Sequence, residues 1–359
     1  MTRPNLADLD HRRLLSGTAR GVLPTLARSA LWCLSRIYRL AARFRRWQYD
    51  RGFKPILHAD VPVISVGNLT TGGTGKTPMV AELCRRLRND GHRVAIISRG
   101  YGAKSGYNDE AMELMSRLPD VPIVQNADRV QAASIAVDEL ESEVLVLDDG
   151  FQHRRLHRDL DLVVIDATNP FGFGHVLPRG YLREPINSLR RADLVIVSRV
   201  DQIDEPARKA LHEAIRRYRG ELSIIDSVHR PSAIGTWNAG DQPVDSIRDR
   251  RIAVLSAIGN PDAFARTIRD CGGRIAQRLD LPDHDPFDRE SRQRLSTWIA
   301  DCSSEIDQVI CTHKDFVKLQ TDQIGGIPLG YLRIDLQFIS SDQPLIDAME
   351  TLISRANGR

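Results

Sequence analysis

The 359-residue chain has little that would staple, span or repeat. Its five cysteines, Cys33, Cys84, Cys271, Cys302 and Cys311, are odd in number and widely scattered. With no Cys-x-x-Cys pair, neither a disulfide framework nor a zinc site is indicated, and a reducing compartment is the simplest setting. No run of about 20 apolar residues occurs, so no helix is expected to cross a bilayer. The N-terminus has no signal-peptide plan, because Arg and Asp interrupt it before any long apolar stretch. Low-complexity tracts and internal repeats are absent too. The formal net charge is only +3, which gives no reason to expect nucleic acid, and nothing indicates an obligate protein partner.

What is present reads as globular. Hydrophobic residues make up 42% and charged residues 27%, ordinary proportions for a packed protein. The length exceeds one ordinary core and predicts two domains. Positive charge is concentrated near the start: from His11 to Asp50 nine Arg stand against one acidic residue. That asymmetry suggests an anionic surface as partner. Residues 1–20 are polar and without periodic pattern, and poor order is expected there. A helix over about 23–47 then places Leu23, Ala27, Ala30, Leu34, Ile37, Ala41 and Phe44 on one face. Arg28, Arg36, Arg39, Arg43 and Arg46 lie roughly opposite. The Arg face, with Trp32, Phe44 and Trp47 near the apolar side, reads as a helix lying in a membrane interface.

Beyond it, short Val- and Ile-rich runs (63–66, 94–97, 144–147, 163–165, 194–197) alternate with helical patterns at 77–90, 128–141 and 206–219. Such alternation predicts a parallel α/β sheet with crossover helices. A polar segment, 227–249, reads as a link, and a second α/β unit is expected from Ile252, with a strand at Val309–Cys311. The expectation is therefore a P-loop NTPase-like domain, 1–228, and a smaller α/β domain, 229–359.

The strand Val61–Gly67 leads into Asn68-Leu69-Thr70-Thr71-Gly72-Gly73-Thr74-Gly75-Lys76-Thr77-Pro78 and a helix. Gly75, Lys76 and Thr77 match the end of the pattern G-x-x-x-x-G-K-[ST], while Thr70 stands where the first glycine belongs. Small residues let backbone N–H groups turn toward phosphate oxygens, and a helix N-terminus adds positive potential. Lys76 is placed to reach the β- and γ-phosphates of ATP, and the Thr77 hydroxyl to ligate Mg²⁺. Residues Thr70, Thr71, Gly72, Gly73, Thr74, Gly75, Lys76 and Thr77 are thus the expected nucleotide site. Asp148 and Asp149 end another apolar strand, where parallel-sheet ligand crevices form, and are candidate Mg²⁺ ligands.

Asp148-Asp-Gly-Phe-Gln-His153 together with Gly72–Pro78 resembles the tetraacyldisaccharide 4′-kinase family, the lipid A kinases of outer-membrane biogenesis. Further blocks agree in order: Ser98–Gly102, Asn108-Asp-Glu110, Leu177–Pro185, Ile258–Pro261, Pro282-Asp-His284 and Thr312-His-Lys-Asp315. The similarity runs from about residue 30 to about 345. The resemblance implies transfer of the ATP γ-phosphate to the 4′-hydroxyl of a tetraacylated glucosamine disaccharide 1-phosphate, giving lipid IVA. It implies an active site in a cleft between the two domains, and a lipid substrate at the cytoplasmic face of the inner membrane. By the same resemblance Asp109 is the catalytic base with His284 as its partner, and Arg183 offsets charge on the phosphoryl group. Glu110 joins Thr77, Asp148 and Asp149 as a Mg²⁺ candidate. Glu184, His153, Lys314 and Asp315 are secondary candidates. Relatives often carry a second His after the first, whereas here Asp285 follows His284. Two other readings compete: a membrane-associated P-loop GTPase switch, supported by Ser198-Arg-Val-Asp201 after a late strand, and a kinase for a soluble sugar or cofactor.

Overall fold

The computed structural model describes residues 11–100, 107–237, 240–283 and 285–357. Among these the helices are α1 His11–Ser16, α2 Val22–Asp50, α3 Lys76–Asn89, α4 Asp109–Arg117, α5 Arg129–Asp138, α6 Glu205–Arg216, α7 Pro261–Asp270, α8 Arg289–Cys302, α9 His313–Leu319 and α10 Gln343–Asn357. The strands are β1 Val63–Asn68, β2 Val94–Ser98, β3 Ile123–Gln125, β4 Val144–Asp148, β5 Leu160–Asp166, β6 Leu194–Ser198, β7 Ser223–Gly235, β8 Arg251–Ser256, β9 Arg274–Asp280, β10 Gln308–Thr312, β11 Gln323–Ile324 and β12 Ile327–Phe338.

The chain divides into two compact units. The first comprises residues 1–99, 121–228 and 338–359, the second 100–120 and 229–337. One crossing coincides with the expected boundary after residue 228. Two segments depart from expectation: 100–120, with α4, belongs to the second unit, and 338–359, with α10, to the first.

In the first unit the strand order is β3-β2-β4-β1-β5-β6-β7, all parallel. Strands β1, β2, β4 and β6 are buried at every position, which explains their unbroken Val/Ile runs: helices cover both faces of a parallel sheet. Apolar clusters form on Leu69, Phe151, Val163 and Val195, and on Val63, Ala95, Ala132 and Leu145. In the second unit the order is β12-β10-β8-β9, also parallel, with the short β11 antiparallel to β12.

The first part of the expected link at 227–249, residues 227–235, is strand. Strand β7 runs through Pro231, and its buried positions include Ile225, Val228, Ala233 and Ile234. The polar residues between them hid a run whose apolar positions pack rather than loop out. Residues 11–16, expected to lack order, form a short helix that buries Leu15, whose carbonyl accepts from Arg179 at 2.8 Å.

Helix α2 is amphipathic, yet its apolar side is the exposed one. Ile37 is 66% exposed, and Leu23, Leu34, Leu40, Phe44 and Trp47 are exposed as well. The stripe turned inward carries Ser35, Tyr38, Ala42, Arg46 and Tyr49 at three- and four-residue steps. It is tied down by polar bonds: the Tyr38 hydroxyl donates to the Arg183 carbonyl at 2.9 Å, and Arg46 donates to Asn187 Oδ1 at 3.3 Å. Phe44 stacks on Trp47, which meets Phe53 at a ring separation of 5.0 Å, so these three exposed rings form one apolar patch. Among the described residues no helix is long and apolar enough to cross a membrane.

Candidate functional site

The loop after β1 is shaped by its backbone. Gly72 and Gly75 have φ of 109° and 94°, a region open to glycine and strained for other residues. Gly75 is the N-cap of α3 and supplies no side-chain cap, so the first amides of α3 have no acceptor from a capping side chain. Thr74 is buried and held from two sides. Its hydroxyl accepts from Asn68 Nδ2 at 3.0 Å, and its carbonyl from the Ser198 hydroxyl at 2.8 Å. Thr70 explains the absent first glycine: it forms an antiparallel bridge with Leu182, and the Thr71 amide donates to the Tyr181 carbonyl at 2.8 Å. An extended residue there needs no glycine.

Lys76, in the first turn of α3, is 8% exposed, and its Nζ lies 3.6 Å from Asp149 Oδ1. The parallel register sets Asp148 beside Val66, one strand over from the loop. Asp149 follows β4 at φ 55°, a costly conformation for a non-glycine residue and one often found at functional sites. Its Oδ2 accepts from Arg183 at 2.6 Å. Burial opposes ionisation of Asp149, but Lys76 and Arg183, with Arg129, outweigh it and hold the carboxyl below its ordinary range.

Arg129, which the sequence reading did not single out, is 5% exposed and donates to the carbonyls of Asp148 and Asp149 at 3.4 and 3.3 Å. Its signal was a charged residue opening a helix just after the Asp128 N-cap. Glu184 does not join this group; it pairs with Arg191 at 2.8 Å, and Arg191 stacks over the Phe151 ring. His153 has a buried Nε2 with no hydrogen-bond partner. Burial, then the charges of Arg129, Arg158 and Arg45, push its pKa down to about 4, so the ring is neutral near pH 7.

Asp109 and Glu110 open α4 in the second unit, where the Asn108 side chain caps the helix by accepting from Ala111 N at 3.0 Å. Asp109 Oδ2 lies 2.7 Å from Lys318 Nζ and 3.8 Å from Lys314 Nζ. Lys318 also escaped the sequence reading. Its one signal was the four-residue spacing from Lys314, which puts both on one side of α9. Asp315 is a structural staple, fully buried and accepting from the Ala257 amide at 3.0 Å and the Thr312 hydroxyl at 2.7 Å. His284 lies outside the described residues. Asp285 after it caps a turn: Oδ1 accepts from the Phe287 amide at 2.7 Å and Oδ2 from the Ser291 hydroxyl at 3.0 Å.

Of the expected metal ligands, Thr77, Asp148 and Asp149 fall in the first unit and Glu110 in the second. Among the described residues no group of three or more His, Cys, Asp or Glu is arranged to hold a metal ion. Asp149 Oδ1 is nonetheless buried and takes no hydrogen bond. With the half-buried Thr77 beside Lys76, that is an oxygen set Mg²⁺ accepts alongside phosphate oxygens and water.

Comparison with known proteins agrees from three sides. Residues 27–354 match the family model described as tetraacyldisaccharide-1-P 4′-kinase. A tetraacyldisaccharide 4′-kinase of an Anaeromyxobacter species is 38% identical, over 89% of this chain and 90% of its own. One from Geobacter metallireducens is 39% identical over 83% and 90%. Among solved structures, LpxK from Aquifex aeolicus in complex with ATP superposes with a TM-score of 0.75 at 27% identity, covering 91% of this chain and 99% of that one.

Proposed function

The chain belongs to the tetraacyldisaccharide-1-P 4′-kinase family, and from that premise we propose how its residues carry ATP-dependent phosphorylation of the 4′-hydroxyl of a tetraacylated glucosamine disaccharide 1-phosphate, a step of lipid A biosynthesis. The structural observation that carries the phosphate-binding part of the assignment is the start of α3: an uncapped helix N-terminus on a glycine hinge, with a buried lysine held against a carboxylate. Orphan amides and a helix dipole favour an anion there.

In this reading the loop 70–77 cradles the ATP phosphates. Lys76 leaves Asp149 to bind the β- and γ-phosphate oxygens, and Arg183, already at the site through Asp149, offsets charge on the transferring group. Asp109 accepts the proton of the 4′-hydroxyl as that oxygen attacks the γ-phosphorus, and the bond to the β–γ bridging oxygen breaks to release ADP. His284 orients the Asp109 carboxylate or takes up that proton. Thr77 and Asp149 would hold Mg²⁺, with Asp148 as a further carboxylate; the ion rarely takes more than one or two from protein. When bound, it neutralises charge on the phosphates.

The exposed apolar side of α2 supports attachment at the cytoplasmic face of the inner membrane, where the acyl chains of the acceptor reside. An apolar strip flanked by Arg lies in a lipid interface with its cations at the headgroups. A soluble acceptor would leave that strip without a purpose. A nucleotide switch is disfavoured by family membership and by Arg199, which pairs with Asp166 after β6 rather than presenting a base-reading pair. The test is incubation with ATP, Mg²⁺ and the disaccharide 1-phosphate in mixed micelles, with parallel sedimentation on acidic vesicles. A 4′-phosphorylated product and co-sedimentation are expected. Folded protein that yields no product contradicts the activity, and folded protein that stays in the supernatant contradicts the membrane role of α2.

A further inference from the structure

We propose that Lys318 is the positioning residue for Asp109, holding the carboxylate in the orientation from which it takes the acceptor's proton; the inference rests on the reading of Asp109 as the base. The support begins with how α9 is fixed. Thr312 caps it, and Asp315 pins its first turn to the amide of Ala257. The His313 ring stacks on Tyr331 at 4.0 Å, and its Nε2 meets the Ser116 hydroxyl of α4 at 3.0 Å. These ties set the rotation of α9 and its register against α4. Lys314 and Lys318, one turn apart, then both address Asp109.

The two lysines are not equivalent. Lys318 is the nearer and the more buried, with its side chain 6% exposed against 18% for Lys314. Both contacts fall on the same carboxylate oxygen, Oδ2, so the cations fix which edge of Asp109 is held. Lys318 Nζ also donates to the Asp285 carbonyl at 2.9 Å. That bond ties the carboxylate to the backbone of the segment in which His284, the proposed partner of Asp109, is the adjacent residue. Lys314 has a second commitment at Asp283, 3.6 Å away.

A solitary structural ion pair needs none of this convergence. A general base does, because its oxygen must meet the hydroxyl within hydrogen-bond reach, and misplacement by about 1 Å costs on the order of a hundredfold in rate.

The experiment compares Lys318→Met, Lys318→Arg, Asp109→Asn and the double variant Asp109→Asn/Lys318→Met, measuring kcat and KM for both substrates. Lys318→Met is expected to lower kcat about ten- to a hundredfold with KM for ATP unchanged. Arginine should restore most of the loss. In the Asp109→Asn background the same change should cost less than about threefold, since the group it positions is gone. Turnover of Lys318→Met within about twofold of wild type overturns the proposal. So does an equal loss in both backgrounds, which marks a structural residue. Should Lys318→Met fail to fold, Lys318→Gln, which keeps a donor without the charge, takes its place under the same criteria. Wild-type turnover by Asp109→Asn instead removes the base reading, and this proposal with it.

Discussion

The phosphate loop and the surroundings of Asp109 are both built for a charged group, by opposite means. Residues 70–77 rely on backbone: two glycines at positive φ, a helix start without a cap, and an extended Thr70 bridged to Leu182. Their geometry is written in a few consecutive residues. Asp109 relies on side chains that arrive from far along the chain, Lys314 and Lys318 on α9, with Ser116 and His313 locking the helices together. The first kind of site binds any phosphate of the right size. On the proposed reading of Asp109 as the base, the second is tuned to one proton and one hydroxyl, and it is expected to fail when a single distant side chain shifts.

That contrast orders the predictions. Lys76→Ala should have the largest effect, lowering phosphate transfer by about a thousandfold or more, while far-UV circular dichroism and the thermal melt stay close to wild type. Asp149 keeps Arg183 as a partner in this variant, so no carboxylate is left buried alone. Transfer within about tenfold of wild type would remove the loop lysine from the reaction. The smallest effect belongs to His153, in the segment after β4. Its folded pKa is about 4 against an ordinary 6.5, so the folded state resists protonation. Its share of stability is whole above about pH 6.5 and is lost as the pH falls toward 4, when the unfolded chain takes up the proton first. After allowance for partial solvent exposure, about 1–2 kcal/mol is at stake. His153→Gln should flatten denaturant midpoints over that window. An unchanged slope would show that burial and the charges of Arg129 and Arg158 do not act on the ring as its surroundings imply.

The sequence carried the first unit further than the second. Continuous Val/Ile runs marked β1, β2, β4, β5 and β6, because burial on both faces leaves no alternation to misread. Helices α3, α5 and α6 fell within a few residues of their expected spans. The later half of β7 reads as a link in the sequence because Pro231 and polar neighbours interrupt its apolar positions. The return of 338–359 to the first unit and the loan of 100–120 to the second are facts of tertiary packing with no local signature. The loop, Asp149 and Arg183 were legible and meet in space. Arg129 and Lys318 were not, since their meaning lies in partners that only the fold supplies. For α2 the periodicity showed two faces but not which one packs, and the buried stripe is the one with Tyr38 and Arg46.

The division of labour between the two sites is tested most directly by ATP titration calorimetry on Asp109→Asn beside its turnover. The account predicts ATP affinity within about twofold of wild type and turnover lowered by about a hundredfold or more. Loss of ATP affinity with normal turnover at saturating nucleotide would contradict it, and would move Asp109 from the acceptor to the nucleotide.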